Sequence, residues 1–423
     1  MKILFVSHAV PDVNGRGSER RAAQHLATLE TLGEVTLVLP DSIAATAEGR
    51  GDAMSRLKVD RLVRRPDLTN AAIWNKRHEN ASGRISRAWA ALHRRPEIDQ
   101  AAPGRYHEEC RALIDDDFDL IFAFRIASAT WLDSFMPANS DSKAVRIVDF
   151  DDIESIGMTR NLPALRSSLF WQVMLRRWIK FTRQTEQRLC DSWDRVLVCS
   201  DHDIGEIRDR YGAKAIAVPN TVPFDRAESE PAPLPFRVLF VGTLSYGPNV
   251  AGIDWFVKEV WPSLHEALGS KIELVITGYD APPEIMAFGE MDGVTVISPA
   301  ESLTPLYAAS HAVIAPILSG AGTRIKIIEA MAFGKAVVTT AVGCEGLAVE
   351  NGEHLLIADE PKDFADAVLS LADDAALRRL VARRGREFGR DHFAPEAADE
   401  KLRAAIMAEL GTASGGADAR LCA

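Results

Sequence analysis

The chain has 423 residues, more than one ordinary hydrophobic core organises, so two domains are expected. A composition of 47% hydrophobic and 26% charged residues is that of a folded globular protein, and a net charge of −11 excludes a general nucleic-acid binder. Residues 1–222 are close to neutral, so the negative excess lies in the second half, and basic clusters in the first half suit an approach to an anionic surface. The cysteines (Cys110, Cys190, Cys199, Cys344, Cys422) are scattered and form no CxxC, as expected of reduced thiols and not of disulfides or metal ligands. The opening KILFVS lacks the apolar length of a signal peptide, and no run approaches the ~18 apolar residues of a membrane span. The expected location is cytoplasmic, at most peripheral at the inner face of the membrane.

In chain order, residues 2–7 form a buried-type strand followed by a loop rich in Gly, Pro and Asn. Ser18 is placed to cap a helix through residue 32, and residues 34–39 form a second strand, the start of a parallel α/β sheet. Residues 41–112, rich in Arg and Ala, are expected to be helical. Strands follow at 118–124 and 145–150, the latter ending in Asp149-Phe150-Asp151-Asp152. A long helix covers 165–189, then come strand 195–199, helix 201–211 and strand 215–218.

The prolines and acids of 223–235 mark a linker. Beyond it RVLFVGTLSYGPNVAGIDWF repeats the opening theme of strand, Gly/Pro/Asn loop and helix. Further strands are expected at 238–241, 272–277, 294–297, 312–315, 336–340 and 354–357, and helices at 361–372, 375–390 and 395–410. The expected division is a Rossmann-like domain at 1–222, the linker, a second at 236–395, a final helix at 396–412 returning to the first domain, and a loose tail at 413–423. Ligands of such sheets bind at the carboxyl ends of the strands.

The stretch LSGAGTRIKIIEAMAFGKAVVTT (318–340) is the most informative. A Gly-rich turn opening a helix leaves backbone N–H groups pointing outward at the positive end of the helix dipole, and Arg324 and Lys326 add two cations. Glu329, three residues after Lys326, shares its helix face and offers a carboxylate to sugar hydroxyls. The plainer reading is a tight loop followed by a solvated pair.

Together with FVGTLSYGPNVAGIDWF (240–256), VITGYD (275–280), GCEGL (343–347), NGRGSERR (14–21) and VPNTV (218–222), this stretch resembles the glycosyltransferase family 4 group, in the flavour of bacterial exopolysaccharide sugar transferases. The resemblance implies an α/β GT-B fold, two Rossmann-like domains with parallel sheets facing across a cleft. It implies transfer of a sugar from a nucleoside-diphosphate sugar to a glycan or lipid-linked acceptor with retention of configuration, and no cofactor or metal. By residue, it gives Glu329 the donor ribose, and Gly320, Ala321, Gly322 and Thr323 the loop around the donor sugar and diphosphate. Arg324 and Lys326 would stabilise the departing diphosphate. Gly15 and Gly17 match the first-domain loop near the donor phosphate, and Gly278 a loop beside the base. The family's first glutamate falls eight residues before Glu329, where this chain has Ala321.

Asp149 and Asp151 are open to three readings: acceptor-side carboxylates, helix-start acids or a DxD metal pair. Arg125 stands where many relatives carry a histidine near the acceptor, though a loop arginine paired with a nearby acid is the favoured reading. His8, on the first loop, is better explained without a role. The helix at 165–189 interleaves Trp and Phe with Arg, as either an interfacial helix or a core helix with a basic wet face would. Two other functions remain open: a nucleotide-sugar epimerase of the same architecture, and an inactive sugar-nucleotide-binding subunit of a polysaccharide assembly complex.

Overall fold

The computed structural model describes residues 1–15, 17–49, 54, 57, 59–70, 72, 96, 98–114, 117–137, 143–161, 169–225, 231–232, 234–320 and 325–420. The chain divides into two compact units, Met1–Val218 with the chain from Asp399 onward, and Pro219–Ala398.

The first unit is built on a seven-stranded sheet of β1 (Lys2–Ser7), β2 (Glu34–Pro40), β3 (Arg61–Arg65), β4 (Leu120–Phe124), β5 (Val145–Asp149), β6 (Arg195–Val198) and β7 (Ala215–Ala217). Every pairing is parallel and the order is β3-β2-β1-β4-β5-β6-β7. Strands buried on both faces read as continuous apolar runs, as in ILFV of β1 and LIFAF of β4. The order reverses between β1 and β4, which makes the gap beyond their carboxyl ends the topological switch point.

β3 corrects the expectation that 41–112 is helical, since RLVRR forms the sheet's edge beside the Asp41–Gly49 helix. Its alternation is masked by arginines, the charges that blunt an exposed edge strand. A further helix, Glu154–Asn161, was not anticipated. The closing helix runs Pro395–Arg420, through most of the residues expected to be a loose tail. Leu402, Ala405 and Ile406 of that helix are buried, and Arg195 Nε donates to Glu409 at 2.7 Å.

The second unit carries a six-stranded parallel sheet of β8 (Phe236–Val241), β9 (Ile272–Thr277), β10 (Val294–Ile297), β11 (Ala312–Ala315), β12 (Ala336–Thr339) and β13 (Leu356–Ile357). The order is β10-β9-β8-β11-β12-β13, with its switch point between β8 and β11. One face buries Phe240, Ile253, Phe256, Trp261 and Phe364. The other packs Ile327, Ile328, Met331 and Phe333 from the helix between β11 and β12. That helix, Ile325–Ala332, ends where the sequence indicates. Gly334 takes φ 64°, its N–H donates to Met331 O and the Lys335 N–H donates to Ala330 O, a Schellman closure.

Candidate functional site

In the second unit the candidate groups gather at the carboxyl ends of β8 and β11. The chain leaves β11 through Gly320 (φ 121°) and enters the Ile325–Ala332 helix; Ala321, Gly322, Thr323 and Arg324 lie outside the described residues. Lys326 is in the helix's first turn. Its Nζ donates to Asn249 Oδ1 at 2.6 Å and lies 4.5 Å from the centre of the Phe240 ring. Asn249 is buried, and its Nδ2 donates to the Thr243 carbonyl at 2.8 Å. A side chain at Gly242 would meet this pair, with a Cβ 2.8 Å from Asn249 Nδ2 and 3.0 Å from Lys326 Nζ. An amide and an aromatic face therefore hold this cation in place at the first turn of the helix.

Glu329 is three residues further on but in a different environment. It is buried, and the Tyr307 hydroxyl donates to its Oε2 at 3.2 Å. Tyr307 in turn stacks on Phe333 with ring centres 4.1 Å apart. The carboxylate is thus oriented by a tyrosine that packing has fixed. Gly278 has φ 154°, and a Cβ there would fall 1.6 Å from the Gly242 carbonyl oxygen. Its first duty is to let the ends of β8 and β9 touch.

In the first unit Gly15 makes a tight turn, its N–H donating to Asp12 O at 3.0 Å, and Arg20 Nε donates back to the Gly15 carbonyl at 2.9 Å. Gly17 is the first residue of the Gly17–Glu30 helix. Asp149 is fully buried. Arg21 donates to its carboxylate through Nε and Nη2 at 2.7 and 3.1 Å, His25 Nε2 bonds to it, and the Asp151 N–H donates at 2.8 Å. This overturns the acceptor-side expectation for Asp149, because a carboxylate with no exposed surface and its lone pairs taken cannot meet an acceptor. It anchors the helix of Arg21 and His25 to the end of β5, and Arg21 Nη1 also donates to the Val218 carbonyl at 2.8 Å. Burial opposes the Asp149 charge, but Arg21 and His25 outweigh it and hold the carboxyl well below its usual range. Burial pushes His25 down, the Asp149 charge and hydrogen bond pull it back only in part, and Arg21 adds to the lowering. His25 is accordingly neutral, with the proton on Nε2.

Arg125 and Asp151 are different. Arg125 precedes the Ile126–Phe135 helix at φ 71°, ψ 152°, and Asp151 has φ 61°, backbone that non-glycine residues rarely adopt. The Arg125 guanidinium lies 3.7 Å from Glu154 Oε1 and 4.0 Å from Asp151 Oδ2. Burial works against its charge, but Asp151 and Glu154 outweigh that and raise its pKa. Two strained residues facing one another at the ends of adjacent strands are characteristic of functional sites.

Residues 235–374 match the family model described as "Glycosyl transferases group 1". The second unit is a group 1 glycosyltransferase domain. Two relatives are similar in sequence. An "Uncharacterized 44.6 kDa protein in cps region" of Klebsiella pneumoniae is 29% identical over 154 residues, 34% of this chain and 39% of the relative. A "D-inositol 3-phosphate glycosyltransferase" of Corynebacterium jeikeium (strain K411) is 25% identical over 223 residues, 46% of this chain and 53% of the relative. The matches thus span 39% and 53% of those relatives' own lengths.

Solved structures are similar in fold over nearly the whole chain. A sucrose-phosphate synthase from Thermosynechococcus elongatus gives a TM-score of 0.68 at 17% identity, covering 98% of this chain and 100% of that one. Anabaena HepE in complex with UDP gives 0.63 at 14% identity, covering 96% and 100%. Both units share the GT-B type of parallel α/β architecture with these proteins.

Sequence reasoning about the group 1 domain missed Asn249 and Tyr307, and in the first unit Arg21 and His25. Only GPNV carried a signal for Asn249, as part of a motif and not as a lysine partner. Tyr307, at an unremarkable helical position, carried none.

Proposed function

We propose that the chain is a glycosyltransferase moving a sugar from a nucleoside-diphosphate sugar to a glycan or lipid-linked acceptor, with retention of configuration, in polysaccharide or glycoconjugate synthesis. The observation that carries this is Lys326, held on the first turn of the helix after the Gly-rich loop in a group 1 glycosyltransferase domain. Lys326 and Arg324 stabilise the diphosphate as its bond to the anomeric carbon breaks, a role for fixed charge that needs no metal or cofactor. Glu329 accepts hydrogen bonds from the donor ribose. Gly320, Ala321, Gly322 and Thr323 wrap the donor sugar and diphosphate, while Gly278 flanks the base and Gly15 and Gly17 approach the phosphate. Arg125 and Asp151 are assigned to the acceptor side. The UDP named in the HepE complex supports a nucleotide-sugar donor.

The setting we propose is cytoplasmic and peripheral to the membrane. Among the described residues no helix is long and apolar enough to cross a membrane. The Leu169–Ser192 helix exposes Phe170, Trp171 and Val173 in its first turn, then Arg176, Arg177, Lys180 and Arg183, an arrangement suited to an anionic lipid surface.

Thermal unfolding against UDP, GDP, ADP and their sugar conjugates tests the reading. One nucleotide sugar should raise the melting temperature, and its turnover with cell lipid or glycan extract should follow. Folded protein that binds none of them would overturn the proposal. Binding without turnover would favour the inactive subunit, which the alanine at position 321 keeps in view.

A further inference from the structure

Across the carboxyl edge of the first sheet, Val63, Val38, Val6 and Ala123 form one transverse row through β3, β2, β1 and β4. Side chains alternate faces with a period of two, which puts Arg65 and Pro40 in the next row on that face; His8 and Arg125 stand at the same level of the sheet, just past the ends of β1 and β4. Pro40 pairs directly with Arg65, and His8 and Arg125 follow the paired Ser7 and Phe124. The row crosses the β1/β4 switch point, where open α/β sheets take their ligands.

Its three polar members share an unusual condition. Arg65 is 1% exposed, yet its Nε and Nη1 have no hydrogen-bond partner among the described residues. Its remaining contacts are Nη2 to Gln100 at 3.4 Å and the Trp131 ring at 4.9 Å. Among the described residues, His8 Nδ1 and Arg125 Nε are likewise buried without a hydrogen bond, the latter 4.0 Å from Asp151 Oδ2. Buried donors are almost always satisfied, so a group of unsatisfied ones calls for an occupant.

We propose that His8, Arg65 and Arg125 form a subsite for one phosphate group, carried by the acceptor. The identification as acceptor rests on the transferase reading; the binding of phosphate does not. Stacking on Trp131 satisfies the face of the Arg65 guanidinium but not its in-plane Nε and Nη1 N–H groups, each of which can donate to one anion oxygen from its own edge of the fork. Counter-charge is scarce as well. Asp67 binds Ser42, and Asp41 binds Arg64. Burial pushes the Arg65 charge down to a pKa of about 10, with Asp67, Cys110 and Asp41 opposing only in part. His8 is pushed down to about 3 by burial and then by Arg65 and Arg125, so at neutral pH it is uncharged and offers one N–H beside two cations. Asp151 and Glu154 balance Arg125 from its own end of the row, which suits the subsite to a single phosphate and not to a polyanion.

Calorimetric titration of inorganic phosphate into the full chain tests this. Wild type and Lys326→Ala should both bind phosphate saturably. Affinity should fall by about tenfold or more in Arg65→Gln and stay closer to wild type in Arg65→Lys, since a charged hydrogen bond to the ligand is removed in one and kept in the other. Arg65 is buried, so His8→Ala, at a partly exposed position, is measured beside it and should weaken phosphate several-fold with an unchanged melting temperature. Absence of saturable binding, or binding lost in Lys326→Ala but kept in Arg65→Gln and His8→Ala, would overturn the subsite. Competition by a soluble hexose phosphate or by a long-chain lipid phosphate in micelles then shows which acceptor carries the group. Nucleotide-dependent thermal shifts should be the same in wild type and His8→Ala, so failure of the donor reading and failure of the subsite are separate results.

Discussion

Lys326 Nζ and Asn249 Oδ1 are 2.6 Å apart, and the same amide donates to the Thr243 carbonyl at 2.8 Å. A buried amide thereby clamps the cation to the loop after β8. Misplacing a catalytic charge by an ångström can cost about a hundredfold in rate. Asn249→Leu is expected to lower kcat by about tenfold to a hundredfold at little cost in melting temperature, and Lys326→Ala by at least as much. Steady-state kinetics of the two variants and of the double mutant check this. Unchanged turnover in Asn249→Leu would show that Lys326 needs no positioning.

The donor role proposed for Glu329 makes its bond to Tyr307 testable in the same way. Glu329→Ala should raise the donor Kd by about tenfold, roughly 1.4 kcal/mol. Tyr307→Phe keeps the stack on Phe333 and loses only the hydroxyl, so its effect should be smaller, about threefold, and confined to KM. Isothermal titration with the nucleotide found by thermal shift measures both, and an unaltered Kd in Glu329→Ala removes the ribose role.

Asp149 should matter for stability. Removing one partner of a buried ion pair costs about 3–5 kcal/mol because the other charge is left uncompensated. Asp149→Ala should therefore lower the denaturant midpoint severely, whereas Asp151→Ala, at a partly exposed position, should be far milder. Equal losses in the two would contradict the anchoring role.

The pH dependence follows from the same burial. His25 and His8 both have native pKa values below the ordinary 6.5, His8 at about 3. Below pH 6.5 the unfolded chain takes up protons that the folded chain refuses. Their contribution to stability is thus full above 6.5 and is lost as pH falls towards the native values. Each such histidine contributes a slope of up to about 1.4 kcal/mol per pH unit, less for the half-buried His8. The Asp149 contribution is lost only below its ordinary 3.8. Urea unfolding at pH 5, 6 and 7 should show the loss, and His25→Gln should flatten it.

On the Leu169–Ser192 helix, Arg176→Glu with Lys180→Glu should abolish co-sedimentation with anionic vesicles. Each basic residue near such a surface contributes about 1 kcal/mol, so two reversals outweigh the rest. Binding by wild type should weaken with added salt. Salt-independent binding, or none, would remove the lipid contact.

The alternation of apolar strands with helical periodicity made both sheets legible from the sequence, because buried parallel strands are apolar on both faces. Only the edge strand Arg61–Arg65 escaped, since its arginines hide the pattern. The loop before Ile325 and the residues Lys326 and Glu329 were equally visible, as glycine, charge and helical spacing are local properties. The side-chain partnerships were not. Lys326 and Asn249 are 77 positions apart, Glu329 and Tyr307 are 22, and Arg21 and Asp149 are 128. Spacing along the chain says nothing about such pairs, so the sequence offered Asp149 as readily to an acceptor as to an internal salt bridge. What decided between those roles was the burial that follows when the Gly17–Glu30 helix packs across the end of β5. A desolvated carboxylate must be paired, and packing alone selects the partner.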